Sequence, residues 1–234
     1  MPVAEHDLLN ILYALKGTIE DHLSHVSNGR RDSLKKAHAQ TERALRIVKR
    51  LGYISGPAGK ISPESLRSKV SVREAWQIAL RLLGDQRALD YIEMVERIPD
   101  GFPLIRCQRD DFKEILFHLA KNAVQAMSPV CGEGNVRAHK LILRAQIGFS
   151  SKEEPIALIS ISDTGAGIPK SVLARLFEPF FTTKPEGEGN GLGLYVVKSL
   201  VAKNSGSIAA SSFPGFGTTF TLQFPLVSEP SRSD

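Results

Sequence analysis

The apolar residues of the first fifty positions recur at alternating spacings of three and four, which restricts this segment to paired helices. A first set has the spacing 4-3-4-3-4 and comprises Leu8, Leu12, Leu15, Ile19, His22 and Val26. A second set has the spacing 3-4-3-4-3 and comprises Leu34, Ala37, Thr41, Ala44, Val48 and Leu51. Such spacing places each set on one narrow stripe of a helix. Because the turn signal Asn28-Gly29 separates the sets, the sequence predicts an antiparallel helical hairpin.

The two stripes also predict an oligomer. Two helices cannot shield a seam completely, so pairing with a second copy into a four-helix bundle completes the packing. We therefore expect a homodimer. A hairpin that packs only against its own chain is the alternative.

After the hairpin the pattern changes to mixed helix and strand. Residues 52–63 are rich in Gly, Pro and Ser and are typical of a linker. The following segments are predicted as helices or strands in mixed order, which indicates an α/β sandwich with helices on one face of a mixed sheet: helices at 72–83, 110–127 and 191–202, and strands at 91–97, 141–147, 156–161, 208–212 and 218–224. The expected fold class is α+β, with these domain bounds: hairpin 1–54, linker 55–69, sandwich 70–227 and disordered tail 228–234.

Composition excludes several classes of protein. The 234 residues are 42% hydrophobic and 24% charged, which fits a folded core and not a disordered chain. No stretch reaches the apolar length of a membrane span, and the N-terminus lacks the features of a signal peptide, so we expect a cytoplasmic location. The net charge of +5 is spread thinly, which argues against a nucleic-acid partner. Cys107 and Cys131 are too few for a disulfide framework or a four-ligand zinc site.

Two glycine-rich segments carry the chemistry. Asp163-Thr164-Gly165-Ala166-Gly167 follows an apolar strand, so a carboxylate stands at a strand end beside glycines that permit close backbone approach. That arrangement suits a ligand with a hydrogen-bond donor, such as the amino group of adenine. The second segment, Gly189-Asn190-Gly191-Leu192-Gly193-Leu194, runs directly into a helix. The unpaired N–H groups and dipole of a helix N-terminus bind phosphate.

Two further features fit the same ligand. The segment 169–190 is long for a compact domain and carries the aromatic cluster 177–181, which is typical of a functional lid. On the helix 110–127, Asn122 can supply an amide oxygen to Mg²⁺, which otherwise retains waters and phosphate oxygens.

Five motifs in this order resemble the ATP-binding domain shared by histidine kinases, gyrase, the Hsp90 chaperones and MutL. They are HLAKNAVQAM (118–127), DTGAGIP (163–169), LFEPFFTTK (176–184), GNGLGLYVVKSLV (189–201) and GFGTTFTL (215–222). The phrases FEPFFTTK and GLGLYVVK look like histidine kinases, particularly the nitrogen-regulator-like branch.

The resemblance implies a role for each matching residue. Asn122 would coordinate Mg²⁺, and Asp163 would receive the adenine amino group of ATP. The remaining nucleotide contacts implied are Gly165, Gly167, Thr182, Thr183, Lys184, Gly189, Asn190, Gly191, Leu192, Gly193, Leu194 and Thr218. His118 departs from the family, since many members have an asparagine there. The ATPase branches have a glutamate that activates water, and its absence here fits phosphoryl transfer to a protein group.

The hairpin gains a function from the same resemblance. His6-Asp7-Leu8-Leu9-Asn10 matches the phosphoacceptor box of histidine kinases, although Ile11 replaces the proline usual in this branch. In the heptad register His6 lies off the apolar seam, with Asn10 one turn away on the same face. The imidazole would attack the γ-phosphate, Asp7 would orient it and take its proton, and Asn10 would steady the phosphoryl oxygens.

The sequence therefore predicts a homodimeric histidine kinase core that passes phosphate from His6 to an aspartate of a response regulator and could also act as its phosphatase. Two alternatives remain open. One is a phosphotransfer or scaffold protein whose ATP domain is inactive. The other is a kinase that phosphorylates serine on a partner, as the anti-sigma factors of this superfamily do.

Overall fold

A computed structural model describes residues 15–16, 18–20, 41, 68–84, 91–127, 139–184 and 191–227. The chain divides into two compact units, Met1–Pro57 and Ala58–Asp234. In the first unit the described residues are helical, and two positions of the predicted seam, Ile19 and Thr41, are buried. The rest of the predicted hairpin lies outside the described residues.

The second unit is built on a mixed sheet. The strands in its described part are, in chain order, β1 (Lys69–Val70), β2 (Ile92–Arg97), β3 (Ile105–Arg106), β4 (His139–Phe149), β5 (Pro155–Asp163), β6 (Ser207–Phe213) and β7 (Gly217–Pro225). Five of them form one sheet in the order β2-β4-β5-β7-β6, while β1 and β3 pair separately. The strands β2 and β4 are parallel, and the other neighbours in the large sheet are antiparallel. The predicted mixed sheet is therefore confirmed.

Helices cover one face of this sheet. The described helices of this unit are α1 (Val72–Leu83), α2 (Arg109–Met127), α3 (Lys170–Leu173) and α4 (Gly193–Lys203). The central helix α2 packs on β4, β5 and β7, with α1 and α4 packed against it. The predicted α/β sandwich is confirmed. No helix in the described ranges is both long enough and apolar enough to cross a membrane.

Local sequence explains where α1 begins and ends. The Ser71 hydroxyl caps its N-terminus by accepting a hydrogen bond from the Glu74 N–H at 3.3 Å. Gly84 ends it at a positive φ of 71°, the conformation that glycine adopts most readily. Between these caps the residues that face the core are Val72, Ala75, Trp76, Ala79 and Leu83. Caps and helical spacing agree, and for this reason the predicted bounds of α1 match the observed ones.

A buried polar cluster joins the start of α2 to the end of α4. Asp111 Oδ2 accepts hydrogen bonds from Asn204 Nδ2 at 2.8 Å and contacts Lys203 Nζ at 3.0 Å. Asn204 Oδ1 accepts from the Gln108 N–H at 2.7 Å. Because a buried carboxylate is costly without partners, these bonds fix the two helix ends to each other.

Candidate functional site

Strand alternation brings Asp163 to the helix-covered side of the sheet. The buried positions of β5 are Ala157, Ile159, Ile161 and Asp163. Since side chains alternate along a strand, the carboxylate continues an apolar row at the point where the strand ends. Asp163 is only 7% exposed, so any ligand group that reaches it is largely removed from water.

One oxygen of this carboxylate is held by the backbone. Asp163 Oδ1 accepts hydrogen bonds from the Gly165 N–H at 2.9 Å and the Thr218 N–H at 3.2 Å. Oδ2 accepts none from the described residues. Burial raises the pKa of Asp163, although the two N–H donors and the nearby His139 oppose that shift. The carboxylate is thus fixed through one oxygen and offers the other to a hydrogen-bond donor.

Gly165 is required for the close approach of β5 to α2. A Cβ at Gly165 would lie 2.6 Å from the carbonyl oxygen of Ala126, near the end of α2. The next residue, Ala166, donates its N–H to the same carbonyl at 3.2 Å. The turn after Asp163 is therefore attached to the last turn of α2.

The β6–β7 hairpin closes the other side of the turn. Gly167 has a positive φ of 71°, and a Cβ there would lie 2.1 Å from the Phe213 carbonyl oxygen. The Ser212 hydroxyl accepts the Ile168 N–H at 2.8 Å and lies 2.9 Å from Thr218 Oγ1. Thr218 is buried beside Asp163.

The N-terminus of α4 has no side-chain cap. Its N-cap residue, Leu192, is fully buried, and its side chain makes no capping hydrogen bond. Because the first N–H groups of a helix lack partners within the helix, this end can bind an anion. Leu192 is fully buried, backbone included, whereas Gly191, Gly193 and Leu194 are half-buried.

One stripe of α2 connects the turn after Asp163 to the start of α4. His118, Asn122 and Ala126 are spaced at i, i+4 and i+8, so they share one face of the helix over about 12 Å of its length. Ala126 contacts Gly165 at the carboxylate end. His118 Nδ1 lies 3.8 Å from the Cβ position of Gly193, at the start of α4. Asn122 stands between the site of the predicted base and the site of the predicted phosphates.

The surroundings of Asn122 fit a bound Mg²⁺. Its amide is half-buried and makes no hydrogen bond with another side chain of the described part of the chain. Within the same residues, no group of three or more His, Cys, Asp or Glu side chains could hold a metal alone. An amide oxygen is a hard ligand, and Mg²⁺ commonly combines one or two protein oxygens with phosphate oxygens and waters.

The segment after the aromatic cluster reaches back to α2. Lys184 Nζ donates a hydrogen bond to Gln125 Oε1, and the Lys184 N–H donates to Thr182 Oγ1 at 3.1 Å. Thr182 and Thr183 are exposed. The other predicted nucleotide contacts in this loop, Gly189 and Asn190, lie outside the described residues.

The phosphoacceptor residues predicted from sequence, His6, Asp7 and Asn10, also lie outside the described residues. Conversely, three residues that are not among the predicted contacts lie at the candidate site: His118, Gln125 and Ala126. The helical spacing from Asn122 was a signal for His118 and Ala126, since both lie four residues from it. The contact of Gln125 depends on a distant segment.

The sequence matches the family described as histidine kinase-, DNA gyrase B-, and HSP90-like ATPase over residues 107–228, just over half of the chain. Among curated relatives, the two-component sensor PprA of Pseudomonas aeruginosa is 33% identical over 84% of this chain and 20% of its own length. The sensor kinase CckA of Brucella abortus is 29% identical over 98% of this chain and 24% of its own length. The chain thus spans about a fifth to a quarter of these relatives.

Solved structures show the same fold. Full-length ShkA in complex with AMPPNP superposes with a TM-score of 0.76 at 21% identity, covering 99% of this chain and 47% of that one. The mycobacterial sensor histidine kinase MprB superposes with a TM-score of 0.55 at 23% identity, covering 69% of this chain and 99% of that one. The predicted resemblance to the ATP-binding domain is confirmed: the chain belongs to the family of histidine kinase-, DNA gyrase B- and HSP90-like ATPases.

Proposed function

We propose that this protein is an ATP-dependent histidine kinase that phosphorylates His6 and passes the phosphoryl group to an aspartate of a response regulator. The observation that carries the proposal is the buried Asp163 carboxylate, fixed through Oδ1 at one end of a stripe of α2 whose other end lies beside the glycine-rich start of α4. The similarity to the two-component sensor PprA and the sensor kinase CckA, each over most of this chain, supports the transfer to histidine.

Adenine fits the carboxylate end of the site. Gly165 and Thr218 saturate Asp163 Oδ1, so Oδ2 accepts the exocyclic amino group of the base. A buried charged acceptor discriminates strongly between a base with an amino group and one with a carbonyl at that position, because the wrong base leaves the carboxylate unpaired. The nucleotide selected is therefore ATP over GTP.

The phosphates of ATP fit the end of the site that lies at the start of α4. The N–H groups at the start of α4 would bind them, and Gly193 leaves space there, because a Cβ at that position would meet only His118 Nδ1, at 3.8 Å. Asn122 would hold the Mg²⁺ with its amide oxygen, and the bound ion supplies neutralisation of the phosphate charge. His118 packs against the helix start, and its Nε2 lies 3.5 Å from Glu114 Oε1, which orients the ring.

The acceptor chemistry belongs to the N-terminal unit. A neutral imidazole nitrogen of His6 attacks the γ-phosphorus, the bond from that phosphorus to the ADP oxygen breaks, and Asp7 takes the proton from the ring. Asn10 hydrogen-bonds the transferred phosphoryl oxygens. A homodimer built on the helical seam would present His6, and a receiver-domain aspartate would then accept the phosphate, with dephosphorylation of that regulator as a further activity.

The decisive experiment is incubation with γ-labelled ATP and Mg²⁺, followed by mapping of the labelled residue. We expect label on His6 that is lost in acid, because phosphohistidine is acid-labile. Label that survives acid would identify a serine kinase. Absence of label despite measured ATP binding would contradict the kinase assignment, and absence of ATP binding would identify a scaffold protein with an inactive ATP domain.

A further inference from the structure

A tertiary hydrogen bond connects α2 to the segment that follows the aromatic cluster. Lys184 Nζ donates to Gln125 Oε1 across 59 positions of sequence. Gln125 is exposed and Lys184 is half-buried. The bond therefore lies at the rim of the candidate site. Without it, the lysine side chain would populate many rotamers.

The position of this bond relates it to the phosphates. Gln125 follows Asn122 by three residues, so their side chains are neighbours on α2. The main chain of Lys184 is turned by its own neighbour, since its N–H donates to Thr182 Oγ1 at 3.1 Å. Backbone and side chain together direct the ammonium toward the part of α2 that carries the proposed Mg²⁺ ligand.

The partner of the Lys184 ammonium is a neutral amide and not a carboxylate. A glutamine oxygen is neutral, so it orients an ammonium without cancelling its charge, whereas a carboxylate in the same place would compete with a phosphate for it. An ammonium has three N–H donors, so a bond to Gln125 is compatible with bonds to phosphate oxygens.

We propose that Gln125 is a positioning residue that holds Lys184 over α2 for contact with the terminal phosphates, and so sets the preference for ATP over nucleosides without phosphate. The inference rests on the proposed function, because it takes ATP as the nucleotide. Gln125 acts through Lys184 and contacts no reacting atom itself.

The test is a double-mutant cycle on nucleotide affinity, measured by calorimetry with ATP and with adenosine. We expect Gln125→Ala to weaken ATP binding roughly 5- to 10-fold, the size of one ordinary hydrogen bond, and to leave adenosine binding unchanged. In a Lys184→Ala background the same substitution should have no further effect on ATP. Gln146→Ala, an exposed glutamine on β4, is the matched control and should bind both ligands as wild type does.

Three results would overturn the inference. The first is an unchanged ATP affinity in Gln125→Ala. The second is an equal loss of affinity for ATP and for adenosine in that variant. The third is that Gln125→Ala weakens ATP binding as much in the Lys184→Ala background as in the wild type. If the wild type binds ATP and Gln125→Ala binds it with the same affinity, the proposed function stands and the positioning role fails. If wild type binds no ATP, the proposed function fails and this inference with it.

Discussion

The Asp163 carboxylate is placed where its charge opposes folding, which gives stability a pH dependence. Burial raises its pKa above the ordinary value of 3.8. The folded state therefore binds more protons than the unfolded state between these two pKa values, so this residue contributes less stability as pH rises through that window. We expect the unfolding free energy of wild type to fall relative to that of Asp163→Asn as pH rises from 3.8 toward neutral. Denaturant titrations over this range test it, and parallel pH profiles would contradict it.

The same substitution should weaken nucleotide binding. In Asp163→Asn the oxygen can still accept the Gly165 and Thr218 N–H groups, but the new NH₂ group faces the adenine amino group with a donor. We expect a loss of about 1–3 kcal/mol in ATP binding, measured by calorimetry. Asp110→Asn, on the exposed first turn of α2, is the control and should bind ATP normally. Equal affinities for all three proteins would mean that adenine does not contact Asp163.

Asn122 should matter for transfer more than for binding. Asn122→Ala removes the proposed amide ligand of Mg²⁺, so we expect the rate of autophosphorylation to fall by at least about tenfold, the equivalent of 1.4 kcal/mol. ATP binding in the presence of a chelator should be unchanged. Lys121→Ala, an exposed neighbour on the same helix, provides the comparison. An unchanged autophosphorylation rate in Asn122→Ala would remove this residue from the site.

At the scale of elements, two glycines at the start of α4 have different structural demands. Gly191 has a positive φ of 65°, and a Cβ there would lie 2.3 Å from the Phe180 carbonyl carbon. At Gly193 the nearest atom to a Cβ is 3.8 Å away, an ordinary contact. We expect Gly191→Ala to destabilise the fold by about 1–3 kcal/mol, through backbone strain and displacement of the aromatic segment. Gly193→Ala should be neutral or slightly stabilising, since alanine favours a helix. Thermal unfolding compares the two, and equal melting temperatures would refute the argument.

The elements that periodicity could predict are those long enough to show it. Helices α1 and α2 and the strands β4 to β7 lie close to their predicted positions because each carries a repeated apolar pattern. The prediction missed β1 and β3, which have two residues each, and the four-residue helix α3. Two residues contain no period, and the pairing of Val70 with Ile105 depends on contact between segments that are distant in sequence.

The site shows the same division between local and distant causes. The carboxylate of Asp163 and the glycines around it were recognisable because strand, turn and helix follow one another in sequence. The attachment of Lys184 to Gln125 and the support of Thr218 by Ser212 were not, because each depends on the folded arrangement of two separate segments. Motif order indicates which residues are candidates for binding, and tertiary packing determines which residues hold them in place.

At the scale of the whole molecule, the exposed seam residue Leu15 favours a dimer. Its side chain is 48% exposed, whereas Ile19, one turn further along the predicted stripe, is buried. A second copy would cover this residue if the hairpins form the proposed four-helix bundle. The dimer is also what would allow the ATP domain of one chain to reach either of two phosphoacceptors.

The last prediction concerns His6, on which the assignment of the N-terminal unit depends. His6→Ala keeps every residue of the ATP site and of the apolar seam, so it should bind ATP and dimerise as wild type does. It should accept no acid-labile phosphate from γ-labelled ATP. Mixing His6→Ala with Asn122→Ala distinguishes transfer between chains from transfer within one chain. If the chains exchange and transfer occurs between them, His6 of the Asn122→Ala chain becomes labelled. If transfer stays within one chain, that chain remains unlabelled. Full labelling of His6→Ala alone would refute the phosphoacceptor role of residues 1–54 while leaving the ATP-binding domain as described.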